Sequence, residues 1–198
     1  MDRIPGEPVW KLLEDSLEEL SHMGEIETIR MLEGRLAFHY WDALLGIQIN
    51  WRSKDIKVVP PHWKSITERM SSLSGTTARH ATNPFHAILN YAYGMLEAQV
   101  LVAINASGLD PACGYLHVDR IGRNSLVFDL MEPHRPRVDR LVLSLFEKTI
   151  FSRGMFSLQE DGEVRLSRQF ARYVASTCKV EQSDVDDTVN WMVRVLRG

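Results

Sequence analysis

The stretch that decides the fold is residues 84–106, PFHAILNYAYGMLEAQVLVAINA, the longest helical pattern in the sequence. Pro84 suits the first turn of a helix, where its missing N–H leaves no hydrogen bond unmade. Apolar side chains recur at helical spacing over a broad face of the segment: Phe85, Ile88, Leu89, Ala92, Met95, Leu96, Val100 and Ala103. A stripe this wide predicts a helix buried at the centre of its domain.

Helical patterns also dominate on both sides of this segment. Apolar spacing predicts further helices over residues 8–23, 26–45, 62–73, 125–132, 137–151, 168–177 and 184–196. Ser167 and Ser183 are placed to cap the last two helices. Residues 155–166 instead alternate around an Asp-Gly turn, which predicts a β-hairpin. We expect an all-α helical bundle with one small β-hairpin, in which residues 1–24 form an N-terminal helical appendage and 25–198 the main domain.

The composition is that of an ordinary globular protein, with 44% hydrophobic residues, 25% charged residues and a formal net charge of −3. A protein of this charge that binds nucleic acid must concentrate its basic residues locally. The two cysteines are isolated, which excludes a disulfide framework. The sequence has no secretory leader pattern and no run of the roughly 20 apolar residues that a membrane span needs. We therefore expect a cytoplasmic protein with no membrane partner.

One segment combines residue types that bind metal ions. His117 lies in a loop predicted over 114–124, and Asp129 and Glu132 follow on the next predicted helix. Their i, i+3 spacing places both carboxylates on one helical face. Two like charges so close are unfavourable unless a cation lies between them or one is protonated. Nitrogen and oxygen ligands suit manganese or magnesium, although a core histidine and a solvated acidic face remain the alternatives.

A group of arginines accompanies these residues: Arg120, Arg123, Arg135, Arg137 and Arg140. Guanidinium groups match the geometry of phosphate oxygens, which predicts a phosphate-binding rim. The alternative is salt bridging to neighbouring acids, which is common in proteins. An acidic metal site with a basic rim is what an enzyme acting on phosphodiesters needs, because the ion neutralises charge on the phosphate while the rim holds the strand.

Several motifs, in order, resemble the CRISPR-associated adaptation integrase, the spacer-acquisition endonuclease. The sequence GLDPACGYLH at 108–117, with GRNSL at 122–126 and DLME at 129–132, looks like the family's signature. The resemblance continues in RP at 135–136 and VDRLV at 138–142, in NYAY at 90–93 and LEGR at 32–35, and in the predicted hairpin and the helix after it. It covers residues 26 to 178, most of the chain.

The resemblance implies that Glu33, His117 and Glu132 bind one magnesium or manganese ion. Asp129, one turn before Glu132, would be a further catalytic residue that supports the metal or the nearby phosphate. Glu33 enters only through the match at 32–35, because its spacing alone indicates a solvated helix charge. The predicted nucleic-acid contacts are Arg35, Arg120, Arg123 and Arg135.

The implied reaction is DNA strand transfer by a catalytic α-helical integrase and endonuclease domain over residues 25–198. The 3′-hydroxyl of a short DNA duplex attacks a phosphodiester at the edge of a CRISPR repeat in one transesterification; water in its place gives endonuclease activity. The family normally begins with a β-rich domain that pairs subunits and helps bind a small ferredoxin-like partner, and only about 25 residues precede the Glu33 helix. We expect a homo-oligomer, with such a partner as an open possibility.

Two other functions compete with this one. The first is a non-catalytic DNA-binding helical module derived from the family, whose binding would need no metal and would survive His117→Ala. The second is a metal-dependent hydrolase of other phosphoesters, which a panel of substrates would separate from an integrase. The histidines at 39, 62, 80, 86 and 134 are interpreted as ordinary surface or hydrogen-bonded core residues, although His86 stands where the family often has asparagine.

Overall fold

The computed structural model describes residue 18 and residues 26–70, 80–116 and 124–198. The chain divides into two compact units, Met1–Leu45 and Gly46–Gly198. In the first unit, helix α1 spans Ile26–Leu44, which confirms the helix predicted there. The helix predicted over 8–23 lies outside the described residues except for Glu18, which is helical. The predicted division between residues 24 and 25 also falls there.

The second unit carries the remaining elements. Its helices are α2 (Pro84–Ala106), α3 (Ser125–Met131), α4 (Arg135–Lys148), α5 (Arg168–Thr177) and α6 (Gln182–Arg197). Strands β1 (Phe156–Leu158) and β2 (Val164–Leu166) pair antiparallel, with Phe156 opposite Leu166. The described part of the chain is therefore mainly helical with one hairpin, as the sequence predicts.

Helix α2 is the central element of this unit. Asn83 caps it, since its Oδ1 accepts a hydrogen bond from the backbone N–H of His86 at 3.0 Å, and Pro84 occupies the first turn. The helix packs against α3, α4, α5, α6 and β2, which confirms the central position predicted from its wide apolar stripe. By length and composition alone α2 could cross a membrane; its contacts identify it as a core helix.

An aromatic cluster forms the other part of the core. Trp51 and Trp63 stack with ring centroids 6.2 Å apart, and Trp51 Nε1 donates to the carbonyl of Trp63 at 3.0 Å. Phe151 contacts Trp51, Phe156 and Phe170 at centroid distances of 5.8 to 6.1 Å. Aromatic pairs of this kind stabilise a core beyond the area they bury. The cluster joins the loop after residue 46 to the hairpin and α5.

The structure corrects one predicted helix and several helix boundaries, including the start of α4, which is Arg135 rather than residue 137. The helix predicted over 62–73 is wrong over 62–70. A short 3₁₀ turn, Pro61–Trp63, is followed by backbone that hydrogen-bonds with residues 47–49. Helix α4 ends at Lys148 rather than residue 151, because Phe151 bonds to residues 50 and 52. Ser183 does not cap α6, which begins at Gln182, two residues before the predicted start, and has Glu181 at its N-cap position. Over 62–70 and at the end of α4, a long-range backbone contact overrides the local helical pattern.

Candidate active site

The described residues include part of the predicted site. Glu33 and Arg35 lie on α1 in the first unit, and Asp129, Glu132 and Arg135 lie in the second; His117, Arg120 and Arg123 lie outside the described residues. Within the described ranges, no group of three or more His, Cys, Asp or Glu side chains is arranged to hold a metal ion. Because one predicted ligand is outside these ranges, the three-residue metal site stays a prediction.

The loop that precedes residue 117 is bound to the first turn of α3. The backbone N–H of Leu126 donates to the carbonyl of Pro111 at 3.0 Å. Gly114 lies so close to α3 that a Cβ atom there would come within 2.4 Å of Ser125 Cβ and 2.6 Å of the Ser125 carbonyl carbon. Since backbone atoms cannot yield as a flexible side chain can, this close approach requires glycine.

Asp129 holds the end of the same loop. Its Oδ2 accepts hydrogen bonds from the backbone N–H groups of Tyr115 and, at 2.9 Å, of Leu116. Asp129 is buried, with 8% of its surface exposed, and hydrogen bonds to an ionised carboxylate are about twice as strong as neutral ones. Because Leu116 directly precedes His117 in the chain, Asp129 fixes the backbone that leads into the predicted histidine ligand.

Glu132 has a different environment, although it is only three residues further on. It begins a 3₁₀ turn, Glu132–His134, because Pro133 lacks the N–H that would continue α3. Its Oε1 accepts a hydrogen bond from Arg135 Nε at 2.7 Å. The side chains of Glu132 and Arg135 are 31% and 28% exposed. This carboxylate is therefore partly solvated and paired with a cation.

Arg135 is in turn held by α2. Its guanidinium carbon lies 4.8 Å from the centroid of the Tyr93 ring, a cation–π contact. The Tyr93 hydroxyl donates a hydrogen bond to Asp139 on α4. The sequence shows Tyr93 only as part of the NYAY motif and gives no sign that it contacts Arg135 and Asp139. The contact joins segments far apart in the chain, so no local spacing indicates it.

These contacts change the basis of the metal prediction. Asp129 receives two backbone N–H groups and Glu132 receives a guanidinium, so each carboxylate finds its own donors. These donors offset part of the repulsion expected between the two acids, so the acidic pair alone does not imply an ion. The metal prediction consequently depends on the resemblance and on the chemistry of the implied ligands, and not on electrostatic repulsion.

Two of the other histidines are core residues with hydrogen-bond partners, as predicted. His86 is 3% exposed, and its Nδ1 lies 3.2 Å from Thr82 Oγ1. Burial, with a smaller contribution from the positive charge of Arg69, lowers the pKa of His86 to about 4. His134 is also buried, and its Nε2 lies 2.9 Å from Thr188 Oγ1.

For the arginines of the predicted rim, the salt-bridge alternative is partly observed. Arg135 pairs with Glu132, and Arg137 pairs with Asp184 on α6. Both pairs are partly exposed, and exposed pairs contribute little free energy. These arginines could exchange a carboxylate for a phosphate at small cost, so the pairing leaves the predicted DNA contacts open.

Comparison with known proteins identifies the family. The family model for CRISPR associated protein Cas1 matches residues 7–179. A CRISPR-associated endonuclease Cas1 of Korarchaeum cryptofilum is 36% identical over 135 residues, which cover 64% of this chain and 35% of that protein. A CRISPR-associated endonuclease Cas1 of Moorella thermoacetica is 31% identical over 175 residues, covering 88% of this chain and 46% of that protein.

Solved structures share the fold of this chain. A casposase bound to integration product is 31% identical, with a TM-score of 0.64, and the match covers 86% of this chain and 45% of that one. A CAS1 protein from Thermotoga maritima shares the fold, with a TM-score of 0.70 at 21% identity, over 94% of this chain and 56% of that one. The chain spans about a third to a half of the length of the curated relatives described above. Since the family model matches most of the sequence, the protein belongs to the CRISPR associated protein Cas1 family.

Proposed function

We propose that this protein is a metal-dependent DNA integrase and endonuclease. It joins the 3′-hydroxyl ends of short duplex DNA to a phosphodiester at the edge of a CRISPR repeat. The observation that carries the proposal is the pair of hydrogen bonds by which buried Asp129 fixes the backbone just before His117, in a chain of the Cas1 family. Support also comes from relatives named endonucleases and from the similar casposase bound to integration product.

The implied ligands suit a magnesium or manganese ion. Two carboxylates and an imidazole, from Glu33, Glu132 and His117, form a hard, mixed oxygen and nitrogen set of the kind these ions accept. Arg135 engages Oε1 of Glu132, and a carboxylate has further lone pairs for a second partner. The bound ion would stabilise the negative charge that develops on the attacked phosphate.

The protein's own residues would position the DNA. Arg135, oriented by the Tyr93 ring, lies beside Glu132 and would contact a phosphate close to the reacting one. Arg35, Arg120 and Arg123 are the further proposed contacts. The attacking 3′-oxygen forms the new bond to phosphorus as the 3′-oxygen of the cut strand leaves, so no bond to the protein forms.

The resemblance also extends to the setting of the reaction. We propose that the protein acts in the cytoplasm as a homo-oligomer. A small ferredoxin-like adaptation protein is the proposed partner, because the family assembles with one.

An integration assay tests the proposal. A short duplex with free 3′ ends is incubated with a supercoiled plasmid that carries a CRISPR repeat, in manganese or magnesium, with and without a chelator. We expect covalently joined product that needs the metal and that His117→Ala abolishes, while His39→Ala serves as the matched histidine control on α1. Absence of joined product under all conditions would contradict the proposal.

The second candidate is a non-catalytic DNA-binding helical module. The partial exposure of the ion pairs of Arg135 and Arg137 favours it, because a DNA phosphate can replace either carboxylate without any metal. DNA binding that persists in a chelator and in His117→Ala, without any joined or cut product, would support this alternative.

A further inference from the structure

A stripe of polar side chains on α2 lies beside Arg69. His86, Asn90 and Tyr93 recur at i, i+4 and i+7, so they lie along one face of the helix. The Nη2 of Arg69 donates to Asn90 Oδ1 at 2.9 Å. Electrostatic interactions with His86 and with Tyr93 indicate that the guanidinium lies beside all three residues. Arg69 itself is partly buried.

The described neighbours of this guanidinium are Asn90, His86 and Tyr93, none of them a carboxylate, and the Asp139 carboxylate is bonded to the Tyr93 hydroxyl. Asn90 is neutral, and His86 is uncharged at neutral pH because its pKa is lowered to about 4. Within the described ranges, carboxylates pair with Arg135, Arg137, Arg165 and Lys179, and none pairs with Arg69. Burial lowers the pKa of Arg69, with a smaller opposing effect from Tyr93. Because buried charges in proteins are normally paired, this partly buried cation is suited to receive an anion.

The position of the stripe favours a DNA phosphate as the anion. Tyr93, one helical turn from Asn90, carries Arg135 on its ring, and Arg135 is bonded to Glu132. Arg69 is therefore on the face of α2 that leads to a predicted metal ligand. The planar guanidinium fork matches two oxygens of a phosphate, and here it is already held by one side-chain amide.

We propose that Arg69 binds a backbone phosphate of the DNA strand that lies along α2 next to Glu132, with Asn90 holding the guanidinium in place. The proposal depends on the proposed function in one respect, namely that this face binds DNA. It does not depend on the metal or on catalysis.

Salt dependence of DNA binding tests this contact. Fluorescence anisotropy with a labelled duplex, in a chelator and over a range of salt concentrations, compares the unaltered protein with Arg69→Gln. Each lost phosphate contact lowers the slope of log K against log salt by about 0.7 to 0.9. We expect a decrease of that size for Arg69→Gln, and about tenfold weaker binding at moderate salt.

Two further variants complete the design. Arg69→Lys keeps the positive charge but loses the planar guanidinium fork. Its slope should therefore equal that of the unaltered protein, and its affinity for DNA should lie between those of the unaltered protein and Arg69→Gln. Arg165→Gln is the matched control, because Arg165 is an exposed arginine already paired with Glu163 at 2.6 Å, and its slope should not change. Thermal unfolding of each variant sets a measurement temperature at which all are folded.

An unchanged slope in folded Arg69→Gln would overturn this proposal. So would an equal decrease in Arg165→Gln, because the effect would then reflect total charge only. The integration assay separates this result from the proposed function. A slope that depends on Arg69 in a protein that forms no joined product would contradict only the catalytic proposal. Normal joined product with a slope independent of Arg69 would contradict only the phosphate contact.

Discussion

The two carboxylates at the C-terminal end of helix α3 show how one acidic pattern can produce two different environments. Asp129, inside the helix, is buried and its Oδ2 accepts two backbone N–H groups of the preceding loop. Glu132, just past the helix, is about one-third exposed and pairs through Oε1 with Arg135. The i, i+3 spacing alone predicts one shared face. The difference arises because Pro133 ends the helix and Gly114 lets the loop approach its start.

The comparison distinguishes Asp129, whose carboxylate holds the backbone of the loop, from Glu132, whose carboxylate remains accessible to a metal ion. Removing Asp129 takes the acceptor from two part-buried backbone N–H groups, and each such group left unpaired away from water costs about 1–3 kcal/mol. Removing the charge of Glu132 loses only a partly solvated ion pair, and such pairs contribute about 0–1 kcal/mol. Substitutions of Asp129 should therefore lower stability more than activity, and substitutions of Glu132 should lower activity more than stability.

The largest effect on stability is expected for Asp129→Ala. The variant leaves the N–H groups of Tyr115 and Leu116 without their acceptor, which should lower the free energy of unfolding by about 3 kcal/mol. Asp129→Asn keeps an acceptor oxygen but loses the charge, so we expect a loss of about 1 kcal/mol. Urea denaturation followed by circular dichroism measures both.

Activity then shows what Asp129 does. If it acts by holding the loop, Asp129→Asn should retain much of the strand-transfer rate and of the affinity for manganese. Equal loss of metal affinity in the Asn and Ala variants, with the stability of the Asn variant preserved, would instead identify Asp129 as a direct ligand of the ion.

Gly114→Ala tests the loop side of the same contact. The added Cβ would meet Ser125 Cβ and backbone at 2.4 to 2.9 Å, so the loop must shift, at a cost of about 2 kcal/mol. Strand transfer should fall although no predicted ligand is changed. Gly94→Ala is the matched control, since a Cβ there meets no atom within 4 Å and alanine favours a helix interior by up to about 1 kcal/mol. Equal stability changes in the two variants, measured by urea denaturation, would contradict the close approach at Gly114.

The sequence predicts the fold well where the local pattern and the tertiary contacts agree. Helix α2 has the predicted bounds because its wide apolar stripe is buried on several sides. Helix α5 also begins where Ser167 predicts, since the Ser167 Oγ accepts from the N–H of Phe170 at 3.3 Å. The prediction fails around Trp63 and Phe151, where backbone hydrogen bonds to distant residues replace helical ones. Apolar spacing carries no information about such long-range partners.

The candidate site likewise has a part that the sequence predicts and a part that only the structure shows. His117, the acidic pair and the arginines are visible in the sequence, and the resemblance adds Glu33. The sequence does not show that Asp129 bonds to the loop, that Arg135 packs on the Tyr93 ring, or that Arg69 bonds to Asn90 of α2. Each of these is a contact between segments that only the folded chain brings together. They decide how the predicted residues are oriented.

The smallest effect on stability is expected for Glu132→Gln. The amide keeps the size of the side chain and can still accept from Arg135 Nε, so the free energy of unfolding should change by less than about 0.5 kcal/mol. If Glu132 binds the ion, strand transfer and manganese affinity should nonetheless fall at least tenfold, because a neutral amide is a much weaker ligand than a carboxylate. Glu147→Gln, an exposed glutamate on α4, is the control and should leave both unchanged. Full activity in Glu132→Gln would remove Glu132 from the ligand set and leave its bond to Arg135 as its only supported role.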